Sequence, residues 1–116
     1  MASQEDLPTK AVRNQSLFRD INERIAEFNA DIVPRTETEW EFLCECADTD
    51  CKSTISLTRA EYEAVRLVPT HFPILPGHQV PEVERVVEKT KRFYIVEKFG
   101  TAGLHAVERD PRREPA

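Results

Sequence analysis

The chain has 116 residues, which is enough for one domain and short for two. Its formal net charge of −5 argues against a general nucleic-acid binder, because neutralising phosphates requires an excess of Lys and Arg. No apolar run approaches the roughly 18 residues of a membrane helix, and the polar start of the chain differs from a signal peptide. We therefore expect a cytoplasmic globular protein in which cysteines stay reduced.

The first predicted element is an amphipathic helix over residues 10–29, preceded by a flexible polar arm over residues 1–8. Its large apolar residues recur at helical intervals, which places them in one stripe. The stripe consists of Leu17, Phe18, Ile21, Ile25 and Phe28. Pro34 prevents the helix from continuing. This amphipathic helix and the acidic surface are the candidate contact surfaces for another protein.

A β-hairpin that carries all three cysteines at its tip is predicted next. Residues 38–46, TEWEFLCEC, alternate in polarity as a half-buried strand does. Cys44 and Cys46 then share the face of the aromatic residues, whereas Glu45 points to the opposite face. The following ADTD predicts a turn, because aspartate side chains accept hydrogen bonds from nearby backbone amides. Residues 53–58, STISLT, are the predicted return strand.

A short second helix is predicted after this hairpin. Thr58 and Glu61 have the spacing of a capping box, in which each residue's side chain bonds the other's backbone amide. Tyr62 and Val65 give the helix an inner face, and Pro69 ends it.

The rest of the chain is predicted to contain one more hairpin. Residues 70–82 are rich in proline and are expected to be extended and irregular. Residues 82–98 hold two segments of β-branched and aromatic residues, which favour a hairpin. A helix over residues 82–91 is the alternative, because Pro81 is compatible with a helix start. Residues 100–116 are small, polar or proline-bearing and are expected to form a disordered tail.

The cysteine spacing, Cys-x-Cys-x4-Cys, predicts a metal site at the hairpin tip. Cys44 and Cys46 approach one point if the strand bends there, and the short turn returns Cys51 opposite them. Closing so short a loop costs little chain entropy. A tetrahedral zinc site needs a fourth ligand, and His78 in the Pro-Gly-His turn is the favoured one. His71, an acidic side chain or water are the alternatives.

Other uses of the three thiols are weaker predictions. Free cysteines also pack as small hydrophobic residues. A nucleophilic thiolate needs positive charge nearby, whereas Glu45, Asp48 and Asp50 surround these thiols with negative charge. Four protein ligands leave no position for a substrate water, so we expect a structural zinc ion, with iron as the alternative.

Several blocks of the chain resemble a family of small hypothetical actinobacterial proteins with a CECxxxxC…PGH pattern. These blocks are NQSLFRDINERI, FLCECADTDC, ISLTRAEYEAVR and HFPILPGHQVPEVERVVEKTKRFYIVEK, and they span residues 14–98. The resemblance implies one compact domain that contains both the cysteine block and the Pro-Gly-His block. It implies no reaction, substrate or partner.

These predictions combine into an α+β protein with one metal-binding domain over residues 9–99. It contains the amphipathic helix, two β-hairpins that form a small antiparallel sheet, and a short helix between the hairpins. The predicted function is a zinc-stapled binding or regulatory module that contacts another protein. A metal- or thiol-dependent enzyme and a nucleic-acid-binding transcriptional regulator are the alternatives.

Overall fold

The computed structural model describes residues 7–32, 38–46, 48 and 50–112. Within these ranges the helices are α1 (Leu7–Ile32), α2 (Arg59–Arg66) and α3 (Gly100–Glu108). The strands are β1 (Glu39–Leu43), β2 (Thr54–Thr58), β3 (His71–Ile74), β4 (Glu84–Lys89) and β5 (Tyr94–Lys98). The α+β class is confirmed. Residues 1–6 of the predicted arm lie outside the described residues.

The strands form two antiparallel sheets. One is the predicted hairpin, in which β1 pairs with β2 so that Phe42 lies opposite Ile55. The other has the order β3-β5-β4 and contains the predicted second hairpin, β4-β5. The two hairpins therefore lie in separate sheets. The alternative of a helix over residues 82–91 is wrong, since β4 occupies most of that range.

A third strand occupies part of the range that was predicted to be irregular, and that prediction is wrong for His71–Ile74. Pro73 cannot donate a backbone hydrogen bond, but β3 lies at the edge of its sheet, where proline is tolerated. Phe72 and Ile74 are buried and pack in one cluster with Val96 of β5. Pairing with β5, whose residues lie 20 to 26 positions further along the chain, is what makes this segment regular.

The prediction of a disordered tail over residues 100–116 is wrong for its first part. Residues 100–108 form α3, which packs against α1 and β5. Ala102, Gly103 and Ala106 face inward. A Cβ atom at Gly103 would lie 3.0 Å from the Lys98 carbonyl oxygen, so the glycine permits a close approach. The small residues of this segment therefore allow α3 to pack closely against its neighbours. Residues 113–116 lie outside the described residues.

Ion pairs hold the segment after α3 against α1 and α2. Arg66 binds Asp110 and donates from Nε to Glu23 Oε1 at 3.0 Å. Arg112 donates from Nε to the same Glu23 oxygen at 2.6 Å and from Nη1 to Glu63 at 2.6 Å. Residues 110–112 belong to the predicted disordered tail, but these ion pairs hold them in place.

The α2 helix begins as predicted. Thr58 Oγ1 accepts the Glu61 amide at 3.0 Å, and the Thr58 amide donates to Glu61 Oε1 at 2.8 Å, so the capping box is complete. Tyr62 and Val65 are buried in one hydrophobic cluster with Phe42. The rings of Tyr62 and Phe42 stack with their centroids 4.7 Å apart.

The α1 helix is longer than predicted and turns a different face to the core. Leu17 and Phe28 of the apolar stripe are 59% and 65% exposed, and Ile21 is exposed as well. The buried face carries Arg19, Asn22, Glu23 and Ala26. Periodicity identified the helix but not its orientation, because Arg19 and Asn22 find buried hydrogen-bond partners. We call the side formed by Leu17, Ile21, Arg24 and Phe28 the outer face of α1.

Candidate metal centre

The cysteine segment links the two sheets. After β1 ends at Leu43, the Cys44 amide still donates across the hairpin to the Ser53 carbonyl at 3.0 Å. The next amide, that of Glu45, instead donates to the Pro73 carbonyl of β3 at 3.0 Å. The chain thus leaves one sheet and joins the other between two neighbouring residues. This places the cysteines beside the loop that follows β3.

Two tight turns aim the remaining candidate ligands at this point. The Asp50 amide donates to Asp48 Oδ1 at 2.9 Å, and the Cys51 amide donates to the Asp48 carbonyl at 3.1 Å. In the second turn the His78 amide donates to the Leu75 carbonyl at 3.0 Å. Gly77 has φ of +91°, which a residue with a side chain rarely adopts. The glycine therefore allows the turn that presents His78.

The structure brings together the four predicted ligands, Cys44, Cys46, Cys51 and His78. One donor atom from each lies within 4.8 Å of all the others. His78 Nδ1 lies 3.6 Å from the sulfur of Cys44 and 3.6 Å from that of Cys51. Among the described residues, this is the one group of three or more Cys, His, Asp or Glu side chains with spacing that suits a metal ion.

These separations can be compared with those of a tetrahedral zinc site. Bonds of about 2.3 Å to sulfur and 2.0–2.1 Å to nitrogen imply a sulfur–nitrogen separation of roughly 3.6 Å. The two measured sulfur–nitrogen separations agree with this value. Two sulfurs on one zinc ion would be roughly 3.8 Å apart. Since no two donor atoms here are more than 4.8 Å apart, the widest pair needs to contract by only about 1 Å. The donor set therefore fits a zinc ion.

The surroundings of the site shield two thiols and leave one accessible. Cys44 and Cys46 are both 1% exposed, whereas Cys51 is only half-buried. The Leu75 amide donates to the Cys44 sulfur at 3.1 Å. Hydrogen bonds of this kind orient a thiolate ligand and offset its negative charge. Cys51 is thus the most exposed of the three thiols, and no described cysteine is in a disulfide.

The two buried thiols influence each other's protonation. A hydrogen bond with Cys44 lowers the pKa of Cys46 to about 5, against the opposing effect of burial. The same hydrogen bond, followed by burial, raises the pKa of the Cys44 thiol. Because cysteines bind a metal ion as thiolates, an ion that binds both sulfurs releases the protons that they carry, so its affinity should rise with pH.

His71, the alternative fourth ligand, is placed elsewhere. It lies at the start of β3, and its Nε2 is 3.0 Å from Glu97 Oε2. Glu97 also accepts hydrogen bonds from Arg85. The His71 side chain thus joins a partly exposed polar group with Glu97 and Arg85 on the second sheet and does not belong to the four-residue cluster.

The largest feature that the sequence did not reveal is a buried polar network around Glu45. This carboxylate lies between two cysteines of the cluster and is fully buried. Arg19 Nε donates to Glu45 Oε1 at 2.9 Å, and Asn22 Nδ2 donates to Glu45 Oε2 at 2.7 Å. The one available signal was the helical spacing of Arg19, Asn22 and Ala26, opposite the apolar stripe.

Burial dominates the electrostatics of this network. It raises the pKa of Glu45, although the charge of Arg19 and the hydrogen bond from Asn22 oppose the shift. Burial likewise lowers the pKa of Arg19 against the attraction of Glu45. Both directions are those expected where removing the charges from water costs more than their attraction returns. Such a pair is a weak source of stability, but removing one partner leaves the other buried without its countercharge.

Comparison of the chain with protein-family profiles, with curated proteins and with solved structures found no match. Across the described ranges, none of the helices combines the length and apolar character needed to cross a membrane. Functional inference therefore depends on the cysteine–histidine cluster and on the surfaces around it.

Proposed function

We propose that this protein is a small cytoplasmic binding module stapled by one structural zinc ion. Cys44, Cys46, Cys51 and His78 would hold the ion, which would tie the hairpin tip to the loop after β3. The observation that carries this proposal is the convergence of three sulfurs and an imidazole at separations that suit tetrahedral zinc. Cytoplasmic reducing conditions would keep the thiols available.

The donor set favours a structural role over a catalytic one. Catalytic zinc sites commonly have three protein ligands and an open position for water, whereas four protein donors converge here. Thiolate ligands also favour zinc or iron over hard cations such as Mg²⁺. A thiol-dependent enzyme would find a thiolate in Cys46, but this residue is 1% exposed and out of reach of a substrate.

The contact with another protein is proposed to use the outer face of α1. Leu17, Ile21 and Phe28 are exposed there, although large apolar side chains on a helix usually face a core. Arg24 is exposed in the same stripe, and Asp20 and Glu27 flank it. We therefore propose a partner with an apolar groove, an acidic residue opposite Arg24, and basic residues along one rim. Helix-in-groove recognition has this form.

The metal proposal is tested by measuring the mass and metal content of purified wild-type protein and of Cys46→Ser. The wild type should contain one zinc ion per chain and lose stability in chelator, because metal-binding energy is part of the folding energy. The variant should lose both metal and the response to chelator. Wild-type protein that contains no metal after expression with added zinc, and is equally stable in chelator, would contradict the proposal.

The partner proposal is tested by site-specific cross-linking in cells, with a photoreactive residue at position 28 or, as the control, at position 67. Phe28 and Leu67 are both exposed, but Leu67 lies at the end of α2. The partner should be captured from position 28 alone. With the purified partner, Phe28→Ser should weaken binding by about tenfold or more, as loss of a central apolar contact does. Equal effects of Phe28→Ser and Leu67→Ser would contradict the proposed surface.

A further inference from the structure

The helix α1 holds the backbone segment that carries two of the proposed metal ligands. Asn22 Oδ1 accepts the Leu43 amide at 2.8 Å, and Asn22 Nδ2 donates to the Leu43 carbonyl at 2.9 Å. One side chain thus satisfies both backbone groups of the residue before Cys44. The Asn22 amide group also donates to Glu45, the residue after Cys44, at 2.7 Å. Asn22 is fully buried, so water cannot replace these bonds without a rearrangement.

Arg19 extends this hold to the second sheet. Besides its bond to Glu45, its guanidinium donates to the Pro69 carbonyl at 3.2 Å and to the His71 carbonyl. It also lies over the Phe72 ring, 3.7 Å from the ring centroid. The same side chain therefore contacts the cysteine segment and the start of β3. His78, the fourth proposed ligand, is presented by the loop that follows β3.

The positions of the ligands and the docking of α1 consequently depend on the same contacts. Cys44 and Cys46 can both face the ion only if Glu45, between them, points the other way, toward α1. Docked α1 supplies Arg19 and Asn22 as hydrogen-bond partners of Glu45, and burying a carboxylate with fewer partners is more costly, so undocking of α1 disfavours this position of Glu45.

We infer that Arg19 and Asn22 are positioning residues for the metal centre, and that metal binding and docking of α1 are coupled. The inference rests on the zinc site proposed above. Coupling of this kind is reciprocal: docked α1 raises the affinity for metal by the same factor by which metal favours docked α1. Loss of the ion would then loosen the helix that carries the proposed partner surface.

The test compares Asn22→Ala with Arg24→Ala in the full chain. Asn22→Ala removes the bonds to Leu43 and Glu45 but keeps the Arg19–Glu45 ion pair, whereas Arg24 lies on the outer face of α1. Zinc affinity is measured by competition with a chromophoric chelator. Asn22→Ala should weaken zinc binding by about 10- to 100-fold, the usual effect of losing a residue that orients metal ligands. Arg24→Ala should leave the affinity unchanged.

The slowing of α1 amide hydrogen exchange by zinc gives a second readout. If Asn22 had a merely structural role, zinc would slow exchange by the same factor in Asn22→Ala as in the wild type. Zinc should slow exchange along α1 in the wild type. In Asn22→Ala the slowing should be weaker, by the same factor by which the substitution lowers the zinc affinity. Co²⁺ absorption spectra establish whether the variant still forms a tetrahedral thiolate site.

The possible outcomes separate the two proposals. A wild type that binds neither zinc nor cobalt overturns the proposed function and this inference with it. A wild type that binds zinc, with equal affinity in Asn22→Ala and Arg24→Ala, overturns the coupling alone. If Asn22→Ala does not fold, the wild-type exchange data decide the question: protection of α1 that does not change on addition of zinc would overturn the inference, and increased protection would support it.

Discussion

Replacing Arg19 with methionine should be among the most damaging single changes to this fold. Methionine fills much of the same volume but deprives the fully buried Glu45 of the Arg19 charge that lies 2.9 Å from it. Removing one partner of a buried ion pair typically costs about 3–5 kcal/mol. The bonds from Arg19 to the Pro69 and His71 carbonyls are lost as well, although Asn22 still donates to Glu45. We therefore expect a loss of about 3–5 kcal/mol in the free energy of unfolding.

Urea denaturation of the metal-loaded protein measures this loss directly. In a thermal scan it corresponds to roughly 12–20 °C, at about 4 °C per kcal/mol for a domain of this size. Arg19→Met/Glu45→Met should recover much of the stability, since burial opposes both charges and the double change removes both. Arg24→Met is the matched control on the exposed side of the same helix and should be nearly neutral.

The direction of the pH dependence provides a further check. Burial already raises the pKa of Glu45, and removal of Arg19 should raise it more. A carboxyl whose folded-state pKa is raised stabilises the fold at low pH and loses that contribution as pH rises through the folded pKa. The deficit of Arg19→Met should therefore shrink on acidification. A loss below about 1 kcal/mol, or a double variant as unstable as Arg19→Met alone, would refute this reasoning.

The remaining predictions concern the metal, a helix cap and the segment after α3. Cys46→Ser should lower metal content and thermal stability together, and its free energy of unfolding should fall by about 4 kcal/mol if free zinc exceeds the wild-type dissociation constant 1,000-fold. Retained metal would contradict this. Thr58→Ala removes the side-chain cap of α2 and should cost about 1 kcal/mol in denaturant titrations, whereas an unchanged midpoint would count against the capping box. Burial would raise the pKa of Glu23, but Arg112 and Arg66 outweigh this effect and hold the pKa below its ordinary value of 4.5. The resulting contribution to stability is present above that value and is lost as pH falls through the folded-state pKa. Glu23→Gln should therefore reduce the slope of acid unfolding.

Local signals in the sequence identify the elements and the cluster well. Hydrophobic alternation predicts β1, and the capping box predicts the start of α2. The cysteine spacing, with a glycine turn beside His78, is enough to name the four residues that converge. Each of these inferences depends on residues that are close in the chain, or on a turn whose chemistry is evident from its own residues.

The parts that the sequence could not show depend on contacts between distant residues. β3 was missed because Pro73 suggests irregular chain, whereas pairing with β5 and burial of its neighbours make the segment a strand. α3 was missed because its small residues resemble a weak core until the close approach to Lys98 is known. Local patterns in a single sequence do not show which distant residues contact each other.

The orientation of α1 illustrates the same limit for polar residues. Hydrophobic periodicity assigns Leu17 and Phe28 to the interior, and the structure exposes both. Arg19 is buried instead because Glu45, twenty-six positions later, receives it. Lys98 and Glu84 form another fully buried ion pair, 2.6 Å apart. A charged residue can be recognised as buried only when its partner is known.

The most direct test of the metal centre is the intact mass of the purified protein under native conditions, before and after incubation with a strong chelator. Under the proposed function we expect one zinc ion per chain, which chelator removes together with part of the thermal stability. His78→Ala should lose the ion or bind it far more weakly. His71→Ala should retain the ion, because that histidine lies outside the cluster. A wild-type mass that corresponds to the bare chain after growth and purification with zinc present would contradict the central claim.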